Sequence, residues 1–299
     1  MRTNDMSVVP IRLCAMAVET EFISVCTITA GRDEHLRNQI NGMQENADGA
    51  KLPFCEHIVV FMGQEERPWD ETPPRVREVQ QDGGIELARA RNRAASEARG
   101  DVLVFLDVDV IPEPGAIEQL ANEAAEHDAL VMADPHYLSP EWTPDLDPAA
   151  DGVPHPARED VPVGQSERYE MFWSLGFAIT RDAFERIGGF DESYIGYGAE
   201  DTDFAFAARK AGVPFRQSDA RVFHQAHAVV KPPLHHAESI VENANRFAAK
   251  WGELPMRGWL DRFAETGIVA INEVTQRVRF LRKPGALEIL GATDIRARF

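Results

Sequence analysis

Asp107 and Asp109 lie near the end of the segment GDVLVFLDVDVIP, Gly100 to Pro112, separated by one valine. An unbroken apolar run, Val102 to Leu106, precedes them. If that run is a buried strand, its side chains alternate between faces. Both carboxylates then leave on the same face, near the strand's carboxyl end. Open α/β sheets bind ligands at that edge. Two hard oxygen donors there suit Mg²⁺ or Mn²⁺, an ion that also holds a substrate phosphate. The same residues also read as a strand that ends in two solvated aspartates, and residues further along the chain decide between the two readings.

A second group of acids stands in GGFDESYIGYGAEDTDFAFAARKAG, Gly188 to Gly212. Phe204, Ala207, Ala208 and Ala211 mark one helical face, and Gly212 with Pro214 ends the helix. Glu200, Asp201 and Asp203 crowd its first turn. Carboxylates there offset the helix dipole and cap free N–H groups, which accounts for one or two of them. It does not account for the glycine- and tyrosine-rich approach GYGAED, which suggests a backbone shaped to a ligand. Further on, ARVFHQAH offers His224 and His227. Either reads equally as an ordinary hydrogen-bonded histidine, and no cysteine or further close ligand supports a tetrahedral zinc site. His235 and His236 follow Pro232-Pro233 and read as a solvated helix start.

The elements that position these residues alternate. FISVCTITA, Phe22 to Ala30, reads as a strand, residues 33–47 as a crossover helix, and EHIVVFMG, Glu56 to Gly63, as a second strand. IELARARNRAASEAR, Ile85 to Arg99, is a helix by propensity that Gly100 stops. Asp134 to Gly164 has no periodicity and is expected to be a long loop, of the kind that can act as a lid. Met171 to Thr180 returns to strand character, and a short helix closed by Gly188-Gly189 follows. Ile240, Ala244, Phe247, Ala248 and Trp251 share one face of a helix that Gly252 and Pro255 end. INEVTQRVRFLRKPG reads as either a strand pair or a tail. This alternation argues an α/β fold with a mainly parallel, doubly wound sheet flanked by helices.

The 299 residues are 44% hydrophobic, enough for one large α/β domain or two smaller ones. A net charge of −18 argues against nucleic acid or anionic lipid as the main partner. A few local arginines and a metal still leave room for a nucleotide ligand. No run approaches a membrane span, and the first twenty residues carry no secretory h-region. Cys14, Cys26 and Cys55 are odd in number and scattered, which fits reduced thiols and a cytoplasmic location.

Taken in order, TAGR, ARARN, FLDVD, GGFDE and GYGAED resemble the GT-A glycosyltransferases, nearest to family 2 enzymes, β-1,4-galactosyltransferases and polypeptide N-acetylgalactosaminyltransferases. The resemblance covers roughly Phe22 to His227. It implies a GT-A (nucleotide-diphospho-sugar transferase) fold over residues 21–230, with a nucleotide-sugar half at 21–130 and an acceptor half at 131–230. An N-terminal extension at 1–20 and a C-terminal helical appendage at 231–299 would flank it. FLDVD is similar to the family's metal-binding Asp-x-Asp, so Asp107 and Asp109 would face metal and sugar nucleotide. Thr27, Thr29, Arg32, Asp82, Arg91 and Asp107 would contact the nucleotide, and uridine is the favoured base. GYGAED resembles the galactosyltransferases' WGGED segment. That makes Asp201 the catalytic base, Glu200 its acceptor-binding neighbour, and Tyr197 with Trp173 the aromatic acceptor contacts. The histidine-glutamine pair of the chondroitin polymerases selects His224 as the third metal ligand beside Asp107 and Asp109, and imidazole favours Mn²⁺ over Mg²⁺. An aspartate where retaining relatives carry asparagine implies inversion.

The resemblance therefore implies a metal-dependent, inverting hexosyltransferase that moves a sugar from a nucleotide diphosphate sugar to a hydroxyl of a glycan or small-molecule acceptor. Two other readings stand beside it. LVFLDVDV is similar to the nucleophile segment of haloacid dehalogenase-like phosphatases. Asp107 would then be the nucleophile and Asp109 the acid, with Mg²⁺ on Glu200, Asp201 and Asp203. A non-catalytic glycan- or nucleotide-sugar-binding domain is the third.

Overall fold

A computed structural model describes residues 22–45, 56–65, 67–158 and 160–298. The extension expected at 1–20 lies outside them, as do Cys14 and Cys55. Strand β1 (Ile23–Thr29), helix α1 (Asp33–Glu45), β2 (Glu56–Met62), β3 (Val76–Gln81), α2 (Leu87–Glu97) and β4 (Val102–Leu106) form the first half. Then come β5 (Val110–Pro112), α3 (Ala116–His127), β6 (Leu130–Tyr137), α4 (Pro148–Asp151), β7 (Val153–Pro154) and β8 (Gly164–Ser166). β9 (Gly176–Thr180), α5 (Arg181–Ile187), α6 (Glu200–Lys210) and β10 (Phe215–His224) complete the main body.

The main sheet runs β3-β2-β1-β4-β9-β6-β10-β5, with β7 beside β6 and β8 beside β10. β3, β2, β1 and β4 are parallel, β9 is antiparallel to both β4 and β6, β10 is parallel to β6, and β5 is antiparallel to β10. Most strands of that path therefore run one way, as expected, and β9 and β5 are the reversals. Alternation along β1 and β4 feeds two cores. Cys26, Ile28, Leu103 and Phe105 pack with α2, α5 and α6 on one face. Val25, Val102, Val104 and Leu106 pack with α1 and α3 on the other. Among the described residues, no helix is long and apolar enough to cross a membrane.

Residues 134–164 are not one aperiodic loop. Asp134 to Tyr137 belong to β6, and short elements follow, with Asp151 accepting bonds from the Ser139 N–H and hydroxyl. Beyond the sheet lie β11 (Val229–Val230), α7 (Ala237–Trp251), α8 (Arg257–Glu265), β12 (Val269–Asn272), β13 (Arg277–Phe280), α9 (Ala286–Ala292) and β14 (Thr293–Asp294). This segment has its own core, including Ile240, Ala244, Leu260, Phe263 and Val278. It is not purely helical: β12 and β13 pair as a hairpin, and β14 returns to pair with β11.

Candidate active site

β4 stops at Leu106, and Asp107 to Val110 form a turn closed by the Val110 N–H on the Asp107 carbonyl at 3.0 Å. The two aspartates therefore do not share a strand face. They part and take different partners. Gln39 of α1, fully buried, donates from Nε2 to the carbonyls of Asp107 at 2.8 Å and Val110 at 2.7 Å and so pins the turn from below.

Asp109 is buried and faces the end of β10. His224 is paired in register with Val110 of β5 and Tyr137 of β6, which fixes where its ring emerges. His224 Nε2 lies 3.6 Å from Asp109 Oδ1, and His227 Nε2 lies 3.5 Å from Asp109 Oδ2. Arg32 Nη1 donates to Asp109 Oδ2 at 2.9 Å. These three cationic or protonatable neighbours hold the Asp109 carboxyl far below the usual range, against the opposing effect of burial. Burial lowers His224 to about 4, so its ring is neutral and has a lone pair to offer at neutral pH. One ligand atom from each of Asp109, His224 and His227 fits within 4.8 Å of the others, as a single ion requires. The His224 Nδ1 is buried without a hydrogen-bond partner. A carboxylate and two imidazoles, one of them with a buried nitrogen that lacks a partner, fit a divalent transition ion. His227 was not selected from sequence, although its spacing from His224 was visible there. Asp107 lies outside this group.

Asp107 instead accepts at Oδ1 from Arg91 Nη2 at 3.0 Å. Arg91 is 3% exposed and also donates from Nη1 to Glu200 Oε1 at 3.3 Å. One guanidinium on α2 thus ties the aspartate turn to the first turn of α6. Burial raises Asp107 despite Arg91. Asp201, next to Glu200, is half-buried, and its Oδ1 accepts from the Thr202 N–H at 2.7 Å. Burial first, and then the Glu200 carboxylate, raise Asp201 to about 7.

The approach to α6 is held from behind. Gly196 and Gly198 have φ of +78° and +98°. A Cβ on Gly196 would meet Ser239 of α7 at 2.7 Å, and one on Gly198 would meet the Met256 sulfur at 2.8 Å. The glycines of GYGAED are thus explained by α7 and by the residue that precedes α8, without invoking a ligand. Ala199 also adopts a left-handed φ of +71°, which costs an alanine about 1–2 kcal/mol and persists only where the surroundings enforce it. Tyr197 stacks on His236 at 4.7 Å and on Trp259 at 5.8 Å between ring centroids.

The other expected residues are more scattered. Thr27 is fully buried, and its hydroxyl is used by Gln39 at 3.0 Å and His57 at 2.9 Å. It organises the core beneath the site and cannot line a nucleotide cleft. Thr29 is 1% exposed, so it too faces inward. Asp82 is exposed after β3 and lines a separate cavity of about 380 Å³ with Gln80, Arg89, Arg93 and Glu192. Trp173 packs edge-on to His155 at 5.1 Å, His155 on Tyr137 at 5.3 Å and Tyr137 on His224 at 4.7 Å. A run of rings thus connects Trp173 to the histidine pair.

The family model for glycosyl transferase family 2 matches residues 64–187, and that for the N-terminal domain of galactosyltransferase matches residues 155–228. Validoxylamine A glucosyltransferase of Streptomyces hygroscopicus subsp. jinggangensis (strain 5008) is 28% identical over 230 residues, covering 67% of this chain and 53% of its own length. Polypeptide N-acetylgalactosaminyltransferase 12 of Mus musculus is 24% identical over 229 residues, covering 70% of this chain and 39% of its own. The chain spans about half the length of the glucosyltransferase it matches. The crystal structure of GalNAc-T7 with UDP, GalNAc and Mn²⁺ superposes with a TM-score of 0.52 at 14% identity, over 68% of this chain and 44% of that one. That of S. aureus TarS 1–349 gives 0.50 at 16% identity, over 83% and 71%. At such identities the structural likeness shows the fold alone. Both matching family models and the relatives concern glycosyl transfer, which sets the phosphatase-like reading of Asp107 aside. Motif order, the two family matches, the relatives and the fold together support a GT-A protein that is family 2-like and related to the galactosyltransferases.

Proposed function

We propose that this chain transfers a hexose from a nucleotide diphosphate sugar to an acceptor hydroxyl with inversion. The observation that carries the reading is the Arg91 bridge. It sets a metal-suited group, Asp109 with His224 and His227, and a carboxylate titrating near neutrality, Asp201, on two segments joined by one buried cation. UDP is the favoured nucleotide and Mn²⁺ the favoured metal. GalNAc-T7, with UDP and Mn²⁺ in its structure, and the glucosyltransferase relative support that choice.

Asp109, His224 and His227 would hold the metal. Its charge would neutralise the diphosphate as that group leaves. Arg32, 36% exposed at its side chain, stands beside Asp109 and can turn to a phosphate oxygen. Asp107, fixed by Arg91, would face the donor sugar. Asp201 would remove the proton from the acceptor hydroxyl while that oxygen forms its bond to the anomeric carbon. The bond from that carbon to the diphosphate breaks on the opposite side. A base titrating near 7 is matched to neutral pH, and such a group contributes about 10²–10⁴-fold. Tyr197 and Trp173 would contact the acceptor.

The test is thermal stabilisation and turnover with a panel of nucleotide sugars, with and without Mn²⁺. UDP with Mn²⁺ should raise the melting temperature, and a UDP-sugar should release UDP. Absence of any nucleotide effect, with turnover of a phosphate monoester that needs Asp107, would overturn the reading.

A further inference from the structure

We infer that α7 sets the geometry of Asp201 through Asn243, which acts as a positioning residue for proton removal. This rests on the reading of Asp201 as the base. Asn243 is 2% exposed. Its Nδ2 donates to three carbonyls of the segment that leads into α6: Ile195 at 3.1 Å, Tyr197 at 3.3 Å and Gly198 at 3.0 Å. An amide NH₂ has two hydrogens, so at least one hydrogen is shared between two of these carbonyls. Gathering three carbonyls on one donor stops the intervening peptides from rotating independently.

Other contacts work in the same direction. The Tyr197 N–H donates to Ser239 Oγ of α7 at 3.3 Å, and Ser239 in turn donates to the His236 carbonyl at 3.0 Å. A Cβ on Gly196 would meet Ser239 Cβ of α7 at 2.7 Å, and the left-handed φ of Gly196 and Gly198 disfavours any other residue there. Ala199 then enters α6 with its left-handed φ and no side-chain cap. Asp201 follows two residues later. The segment that α7 holds therefore sets how the chain enters the first turn of α6, alongside the Arg91 contact to Glu200.

This placement decides what surrounds Asp201. The charged and titratable groups that face it are Glu200 on α6, Arg91 on α2 and the Tyr197 hydroxyl on the held segment. A small rotation of the segment changes the distance from Asp201 to each. Positioning and mere satisfaction of buried carbonyls make different claims. A purely structural Asn243 would affect melting temperature but not the turnover of the folded fraction or its pH dependence.

The experiment compares the full wild-type chain with Asn243→Ala and, as a milder variant, Ser239→Ala. UDP binding is measured with Mn²⁺. UDP release from UDP-glucose and UDP-N-acetylgalactosamine is followed across pH. Asn243→Ala should keep Mn²⁺-dependent UDP binding while kcat falls about 10–100-fold, the scale on which misplacement of a reacting group acts. The acid limb of its pH profile should move down by about half a unit or more as Asp201 gains solvent and distance from Glu200. Ser239→Ala should show the same signs more weakly. If Asn243→Ala does not fold, the Ser239→Ala profile alone decides. Wild-type kcat and pH profile in the folded variants would overturn the inference and leave the proposed function standing. A wild-type chain that neither binds UDP nor releases it would refute the proposed function itself and this inference with it.

Discussion

Asp109 and Asp201 are the same residue type in one site, and their surroundings push them in opposite directions. Around Asp109, His224, His227 and Arg32 outweigh burial, so the carboxylate stays charged to very low pH. Around Asp201, burial and Glu200 outweigh Arg91, so the group titrates near 7. On the proposed function, the difference would give one fold a permanent anion and a proton acceptor from the same side chain. What separates them is the charge of the nearest neighbours. Both corners are also held by a buried amide from a helix outside them: Gln39 grips the carbonyls of the aspartate turn, and Asn243 grips those before α6.

If the comparison is right, each aspartate fails in its own way. Asp109→Ala should have the largest effect: Mn²⁺-dependent UDP binding, followed by calorimetry, should weaken by roughly 100-fold or more, since even outer partners of metal ligands are worth 10–100-fold. Retained binding would remove Asp109 from the metal site. Asp201→Asn should instead leave UDP binding intact and lower transfer by about 10²–10⁴-fold. A product of retained anomeric configuration, or near-normal transfer by this variant, would leave Asp201 as a structural acid.

A smaller effect concerns stability. Asp201 has an ordinary value of 3.8 and is raised to about 7 in the fold. Between those values the folded state holds more protons than the unfolded one, so stability falls as pH rises from about 4 to 7 and the deficit persists above. Asparagine can keep the Thr202 bond and removes the charge. Asp201→Asn should therefore melt higher than wild type at pH 8, by roughly 2–6 °C, with the gap closing towards pH 4. A gap that is the same at both pH values would mean that Asp201 carries no such burden.

Much of the layout could be read directly from residue types. β1, β2 and β4 are apolar runs, and α2 follows propensity and ends at a glycine. β6 could not be read, because its LVMADPHY turns polar and contains Pro135 while still paired to β10. β3, with VREVQQ, is a polar edge strand that lacks the alternation of a half-buried one. The placement of the two aspartates departs from the expected shared face for a local reason: the turn after Leu106 cancels the period-two alternation that a longer strand would impose. Thr27 is expected at the nucleotide through the family resemblance alone, yet its side chain points at Gln39. The buried amides had a usable signal. Gln39 adjoins Ile40 and lies three residues from Leu36, and Asn243 lies three residues from Ile240 and four from Phe247, so both stand on apolar faces where a polar residue needs partners.

Arg32 carries a thermodynamic consequence. Its guanidinium occupies the same Asp109 oxygen that lies nearest His227, so it competes with an incoming cation for that carboxylate. Reciprocal linkage follows: whatever draws Arg32 away strengthens the hold of Asp109 on a metal, and a bound metal frees Arg32 for an anion. On the proposed function, metal and diphosphate would therefore be coupled ligands beyond any direct contact between them. Arg32→Ala should bind Mn²⁺ more tightly in the absence of nucleotide and lose part of the gain that UDP brings. Equal Mn²⁺ affinity in both proteins, with and without UDP, would show the two sites to be independent.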